Sequence, residues 1–193
     1  MSEKKIQLWK KVGEPSFMAK KFGKQLIVQM FLNPTTGKEE EFVLFGQKDW
    51  SVVLPVTEDG EVVVVRQYKQ GCHQILLELP AGTADFKDET PEEVMRRELL
   101  EETGYEPAEV IALGPSQYIS TRNSWTRFHP FLARGCRKVK ETKIDLNEEI
   151  EVILIPLEEW IDLCLKEIVE PSAIVATFRS LPHLGYQFQT VSK

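Results

Sequence analysis

Excess positive charge, paired cysteines, clustered histidines and long apolar runs are all scarce here, and each scarcity excludes something. The 193 residues carry 24 Lys and Arg against 30 Asp and Glu, a formal net charge of -6. A protein that grips nucleic acid through its phosphates needs the opposite balance, so nucleic acid is not an expected partner. Cys72, Cys136 and Cys164 are odd in number, far apart and in no CxxC pair. That argues against a disulfide framework and a structural zinc site, and fits free thiols in a reducing compartment. His73, His129 and His183 are scattered without ligand spacing and read as structural. No 18 consecutive residues are apolar, and the opening MSEKKIQLWKKVGE has no run of signal-peptide length. The expectation is a cytoplasmic protein with no membrane partner. Internal repeats and low-complexity tracts are also absent from the sequence.

What is present is an ordinary globular composition, 42% hydrophobic and 28% charged. The length suits one domain of the usual size, roughly 100–150 residues, plus an accessory piece. Strand-like runs KQLIVQMFLN and EEFVLF flank PTTGK, and WSVVLPV and EVVVVRQY flank TEDG, so two hairpins precede any helix. The unbroken Val62 to Val65 run predicts a strand buried on both faces. Thr90, Pro91 and Glu93 supply an N-cap, a first-turn proline and a capping-box acid, and Gly104 stands where a left-handed C-terminal residue belongs. The spacing therefore predicts a helix close to Pro91–Thr103. AEVIALG, RFHPFLARG and EVILIPL follow as strand candidates, then LEEWIDLCLKE and PSAIVATFRSL as helices. A boundary near Gly46 divides a β-rich piece, residues 1–45, from a mixed α/β domain, residues 46–193.

The central helix is poorly suited to water. In RRELLEETGY, Glu98, Glu101 and Glu102 share one face. The like-charge pair Glu98 and Glu102 opposes helix formation by roughly 0.2–0.5 kcal/mol. Such a face suits a hard cation, since Mg²⁺ takes oxygen ligands and is usually held by one or two carboxylates with water and phosphate. Acidic faces are more commonly just solvated, so taken alone the helix leaves both readings open.

RELLEETGY, Arg97 to Tyr105, resembles the second half of the Nudix box, R-E-U-x-E-E-x-G-U with U apolar or aromatic, and Glu89 lies eight positions before Arg97 as that box requires. The box has five residues between its glycine and first glutamate, whereas Gly82 and Glu89 here enclose six, TADFKD. Either the loop carries an extra residue or Asp88 takes the first acidic place. VVVVRQYKQG, LLELPAG, EEIEVILIPLEEW and the hairpin around NPTTGKEEEF are similar to the ADP-ribose and nucleoside diphosphate sugar pyrophosphatases of that family.

The resemblance implies an α/β (α+β) Nudix fold, a mixed sheet flanked by helices with a small N-terminal β-rich subdomain. It also implies a Mg²⁺-dependent, or Mn²⁺-dependent, hydrolase of nucleoside diphosphate sugars. Glu98 and Glu102 would be metal ligands, Glu101 an auxiliary one, and the Ala81 carbonyl another. Arg97 would orient the glutamates. Glu148 would be the general base, with Glu149 its rival. Arg66 and Lys69 are candidates for substrate phosphates or plain surface charges, and Phe42 for stacking on the base or for the core. Glu78 would bind ribose or phosphate-bound metal, or buttress the loop. A homodimer built through residues 1–45 is implied as well. The competing readings are a GDP-mannose or dinucleotide hydrolase and a non-catalytic nucleotide-binding regulator; the complete Glu98, Glu101 and Glu102 set argues against the regulator.

Overall fold

Two valine-rich strands, β4 (Trp50–Thr57) and β5 (Glu61–Lys69), set the architecture of the larger part of the chain. The computed structural model describes residues 6–84, 86–141 and 150–187. Contacts divide the chain into two units, Met1–Lys48 with Tyr118–Arg127, and Asp49–Gln117 with Phe128–Lys193. The smaller unit thus takes in residues 118–127, beyond the 1–45 piece expected from the sequence.

That smaller unit holds an antiparallel sheet in the order β1 (Lys10–Lys21), β2 (Lys24–Leu32), β3 (Glu39–Gly46). The β2–β3 hairpin is the expected one. Its turn is closed by Asn33, whose Oδ1 accepts from the Thr35 and Thr36 N–H groups at 2.9 and 3.2 Å, the local side-chain turn for which asparagine is favoured. Sequence reasoning missed β1, because KKVGEPSFMAKK has no alternation and contains Gly13 and Pro15. The structure tolerates them by shifting register between Val12 and Ser16, and proline in a sheet belongs at such irregularities. The buried Gln29 amide donates to the Val12 and Gly13 carbonyls at 3.0 and 3.4 Å, meeting acceptors that the ladder leaves there. Gly46 is required sterically, since a Cβ at that position would overlap the Trp125 indole.

In the larger unit β4 and β5 are followed by β6 (Gln74–Glu78), β7 (Ala81–Thr83), α1 (Pro91–Thr103), β8 (Tyr105–Glu106) and β9 (Glu109–Ala112). β10 (Gln117–Tyr118) leads out of it, and β11 (Arg127–Lys138), β12 (Ile150–Pro156), α2 (Leu157–Lys166) and α3 (Pro171–Ser180) complete it. The sheet is mixed: β11 runs parallel to β4, while β12 runs antiparallel to β5. Paired residues of β4 and β5 are Val56 and Val62, at the turn end. Farther along, β5 takes β6 as partner and β4 takes β7. The chain therefore wedges between two diverging strands, crossing from one to the other through Leu79 and Pro80.

Both faces of the sheet are covered, as the continuous valine run predicts. Val52, Leu54, Val56, Val62 and Val64 pack with Trp160 of α2 and with Ala173 and Ala176 of α3. Val53 and Val63, pointing the opposite way, pack with Met95 and Leu99 of α1. Val62 to Val65 are 0% exposed, and each such side chain contributes about 1.5–3 kcal/mol of burial energy. Trp160 is fully buried, and its indole N–H donates to Thr177 Oγ1 at 2.8 Å, so its one polar atom is satisfied.

Candidate active site

The site begins with the start of α1. Thr90 Oγ1 accepts from the Glu93 N–H, and the Glu93 carboxylate accepts from the Thr90 N–H at 2.8 Å, a complete capping box. Hydrogen bonds from the Thr90 hydroxyl and N–H hold the Glu93 carboxyl below the usual carboxylate range. At the other end Gly104 adopts φ 78, and its N–H donates to the Leu100 carbonyl. The helix thus has the span predicted from its signals, and the face bearing the glutamates is set by the burial of Val94, Met95, Leu99 and Thr103 on the other.

Arg97 is the hub of that polar face. Its Nε donates to Glu89 Oε1 at 2.9 Å, and its Nη1 donates to Glu98 Oε1 at 2.9 Å and to Glu101 Oε2 at 3.1 Å. Its Nη2 donates to the Thr83 carbonyl at 2.8 Å. A planar guanidinium with five fixed donors can serve this many acceptors at once, as a lysine cannot. Burial alone would lower the Arg97 pKa, but the bonds from Glu89, Glu98 and Glu101 outweigh it and raise the value above that of ordinary arginine. The cation is permanent.

This geometry also resolves the spacing of the loop. Glu89, not Asp88, meets Arg97, with a side chain only 8% exposed. Asp88 is exposed and adopts φ 68, a left-handed conformation that aspartate tolerates better than most residues. The longer loop is taken up before Glu89, so Glu89 keeps its place relative to the helix.

Two further contacts bind the helix to the preceding loop. Glu102 Oε2 accepts from the Ala81 N–H at 3.1 Å. At Gly82 the Glu98 carboxylate approaches so closely that a Cβ would overlap it, so any larger residue there would displace that carboxylate. Glu98 and Glu102 thus lie against the Ala81–Thr83 strand, while Glu89, Glu98 and Glu101 share the Arg97 guanidinium. Among the described residues no group of three or more His, Cys, Asp or Glu side chains is arranged to hold a metal ion. In chemistry, though not in arrangement, the carboxylates of Glu98, Glu101 and Glu102 suit a hard divalent cation, being all oxygen donors.

Strand parity separates the other candidates. Lys69 and Gln67 lie on the same face of β5 as Val63 and Val65, the α1 face, and both reach Glu78: Lys69 Nζ at 2.6 Å and Gln67 Nε2 at 3.1 Å. Arg66 points to the opposite face and pairs with Glu151. The structure therefore brings Lys69 and Glu78 to the side of the sheet that carries the acidic helix, and does not bring Arg66 there. Phe42 lies in the smaller unit, edge-on to Trp9 and Phe31 at centroid distances of 5.6 and 5.5 Å. Glu148 and Glu149 lie outside the described residues. Sequence reasoning missed Gln67 and the Thr83 carbonyl. The position of Gln67 two residues before Lys69 was the available signal for the first, and a backbone acceptor leaves none for the second.

A mixed sheet between helices, with a glycine loop leading into a helix whose arginine gathers its own carboxylates, defines a protein built around an acidic loop and helix. The chain belongs to the NUDIX domain family, whose signature matches residues 47–175. It is 33% identical over 112 residues to the ADP-ribose pyrophosphatase of Bacillus subtilis (strain 168), covering 58% of this chain and 60% of that protein. It is 29% identical over 130 residues to the methanol dehydrogenase activator of Bacillus methanolicus, covering 64% and 67%. The chain thus spans about three fifths to two thirds of the length of these relatives. A crystal structure of an ADP compounds hydrolase superposes with a TM-score of 0.80 at 16% identity, covering 94% of this chain and 97% of that one. That likeness is one of fold, and it agrees with the mixed sheet and flanking helices expected from the sequence.

Proposed function

We propose that this chain is a metal-dependent hydrolase that cleaves the pyrophosphate of ADP-ribose or a related nucleoside diphosphate sugar, releasing a nucleoside monophosphate and a sugar phosphate. The observation that carries the reading is the gathering of Glu89, Glu98 and Glu101 on Arg97 beside Glu102 and the Ala81 N–H. The likeness to an ADP-ribose pyrophosphatase supports it.

In this reading Glu98 and Glu102, helped by Glu101 and the Ala81 carbonyl, would hold Mg²⁺ or Mn²⁺. The ion would supply Lewis-acid charge to the phosphoryl oxygens and promote ionisation of water. Arg97 keeps Glu98 and Glu101 from splaying apart when no cation separates their charges. Glu148 takes the proton of the attacking water as the P–O–P bond breaks and one phosphate departs. Lys69 binds a substrate phosphate, and Phe42 stacks on the base. Arg66, on the far face of the sheet, is the weaker phosphate candidate.

The same reading includes a cytoplasmic homodimer. The smaller unit exposes Phe17, Met18, Phe22, Val43 and Phe45, side chains of the kind an obligate interface covers. Light scattering that finds a monomer at micromolar concentration would remove the dimer. The central test is incubation with ADP-ribose, GDP-mannose and dinucleotides, with and without Mg²⁺, and identification of the released nucleotide. Metal-dependent release of AMP from ADP-ribose is expected. The likeness to a methanol dehydrogenase activator favours a second reading, in which the chain acts on another enzyme; nucleotide binding without turnover of any of these compounds would select it.

A further inference from the structure

The wedge between β4 and β5 carries a second ionic group. Glu78 is a carboxylate with only 10% of its side chain exposed, and Gln67 Nε2 and Lys69 Nζ both meet the same oxygen, Oε2. Glu78 stands opposite Val65 in the ladder, whereas Lys69 stands opposite Gln74. The two residues are thus offset by four ladder positions, about 13 Å at roughly 3.3 Å per residue, a gap that the Lys69 and Glu78 side chains close between them. A lysine near a hairpin end ordinarily runs outward into water. This one is turned back toward Glu78, the residue before the Leu79–Pro80 crossing.

Of the three donors on the Lys69 ammonium, one meets a protein acceptor among the described residues. Glu78 holds the cation in place without saturating it. We propose that Glu78, itself oriented by Gln67, is a positioning residue that presents the Lys69 ammonium to a phosphate of a nucleoside diphosphate. The inference rests on the proposed function, and it assigns to Gln67 and Glu78 a role exercised through Lys69 rather than by their own contact with the ligand. A carboxylate that merely filled the wedge would need a partner to satisfy its charge, but not a partner drawn back along the strand from a surface position.

The test is ADP binding by calorimetry in EDTA, so that no turnover occurs, with the wild type, Glu78→Gln, Gln67→Met, Lys69→Met and the two double variants that combine Lys69→Met with each of the others. Lys69→Met should weaken ADP about tenfold, the scale of one charge-assisted hydrogen bond. Glu78→Gln and Gln67→Met should weaken it several-fold in the wild-type background and not at all in the Lys69→Met background, the signature of a coupled pair. Gln67→Met keeps the buried carboxylate, so it tests the idea even if Glu78→Gln misfolds. Equal losses in both backgrounds overturn the inference and leave the proposed function standing. A wild-type protein that fails to bind millimolar ADP without metal overturns this inference, while the proposed function stands or falls separately on the turnover assay with Mg²⁺.

Discussion

Replacing Arg97 with methionine should destabilise the larger unit by about 3–5 kcal/mol, the usual cost of stripping one partner from a buried charge cluster. The distribution of exposure sets that figure. Arg97 is 15% exposed, Glu89 8% and Glu98 17%, while Glu101 is 55% exposed. The Glu101 bond, being solvated, accounts for about 1 kcal/mol at most. The bonds to Glu89 and Glu98 contribute roughly 1.5–3 kcal/mol each, because their loss leaves carboxylates without the cation that offsets their desolvation. At about 2–4 °C per kcal/mol for a chain of this size, the midpoint should fall by roughly 6–20 °C. Arg97→Lys should lose an intermediate amount, since an ammonium cannot meet Glu89, Glu98, Glu101 and the Thr83 carbonyl in one geometry. Adding Glu89→Gln to Arg97→Met should restore part of the loss, because the stranded charge goes with its partner. Thermal and urea denaturation followed by circular dichroism measure all three. A loss below about 1 kcal/mol for Arg97→Met would mean that the cluster behaves as a surface ion pair and that the burial argument is wrong.

Glu102→Gln should reduce turnover at least a hundredfold while the folded spectrum persists, because an amide keeps the bond from the Ala81 N–H but loses the charge a cation needs; near-normal turnover would sink the metal-site reading. Glu148→Gln should lower kcat more than it raises KM, and Glu149→Gln should be milder; steady-state kinetics giving the reverse order would move the base by one residue. Of the three thiols, exposed Cys72 should react with a disulfide reagent at neutral pH, while Cys136 and Cys164 wait for unfolding. Burial pushes the Cys136 thiol up to about 12 from an ordinary value of 9.0. Its contribution to stability is thus complete below pH 9 and declines as the pH rises toward 12, where the unfolded thiol ionises first. Denaturation midpoints of Cys136→Ala should fall less steeply than wild type over that window.

The sequence was most legible where local chemistry is self-sufficient. The ends of α1 could be read from Thr90, Pro91, Glu93 and Gly104, because a capping box and a left-handed glycine are settled within a few residues. The burial of Val62 to Val65 followed from the absence of alternation. β1 was not legible, since Gly13 and Pro15 break its alternation and its ladder to β2 shifts register between Val12 and Ser16. The contrast between Arg66 and Lys69 was hidden for a different reason. Adjacent strand residues point opposite ways, and the face that matters is known only once α1 is seen to pack on Val63 rather than Val62.

The left-handed turn at Asp88 bears on how such motifs are found. Arg97 measures its distance to Glu89 along a rigid helical rail, so that interval cannot drift without parting the two side chains. The stretch between Gly82 and Glu89 has no such ruler, and Asp88, just before Glu89, adopts a positive φ. A pattern written with fixed spacing across the whole box would pass over this chain, whereas one anchored on the helix and elastic toward the glycine would catch it.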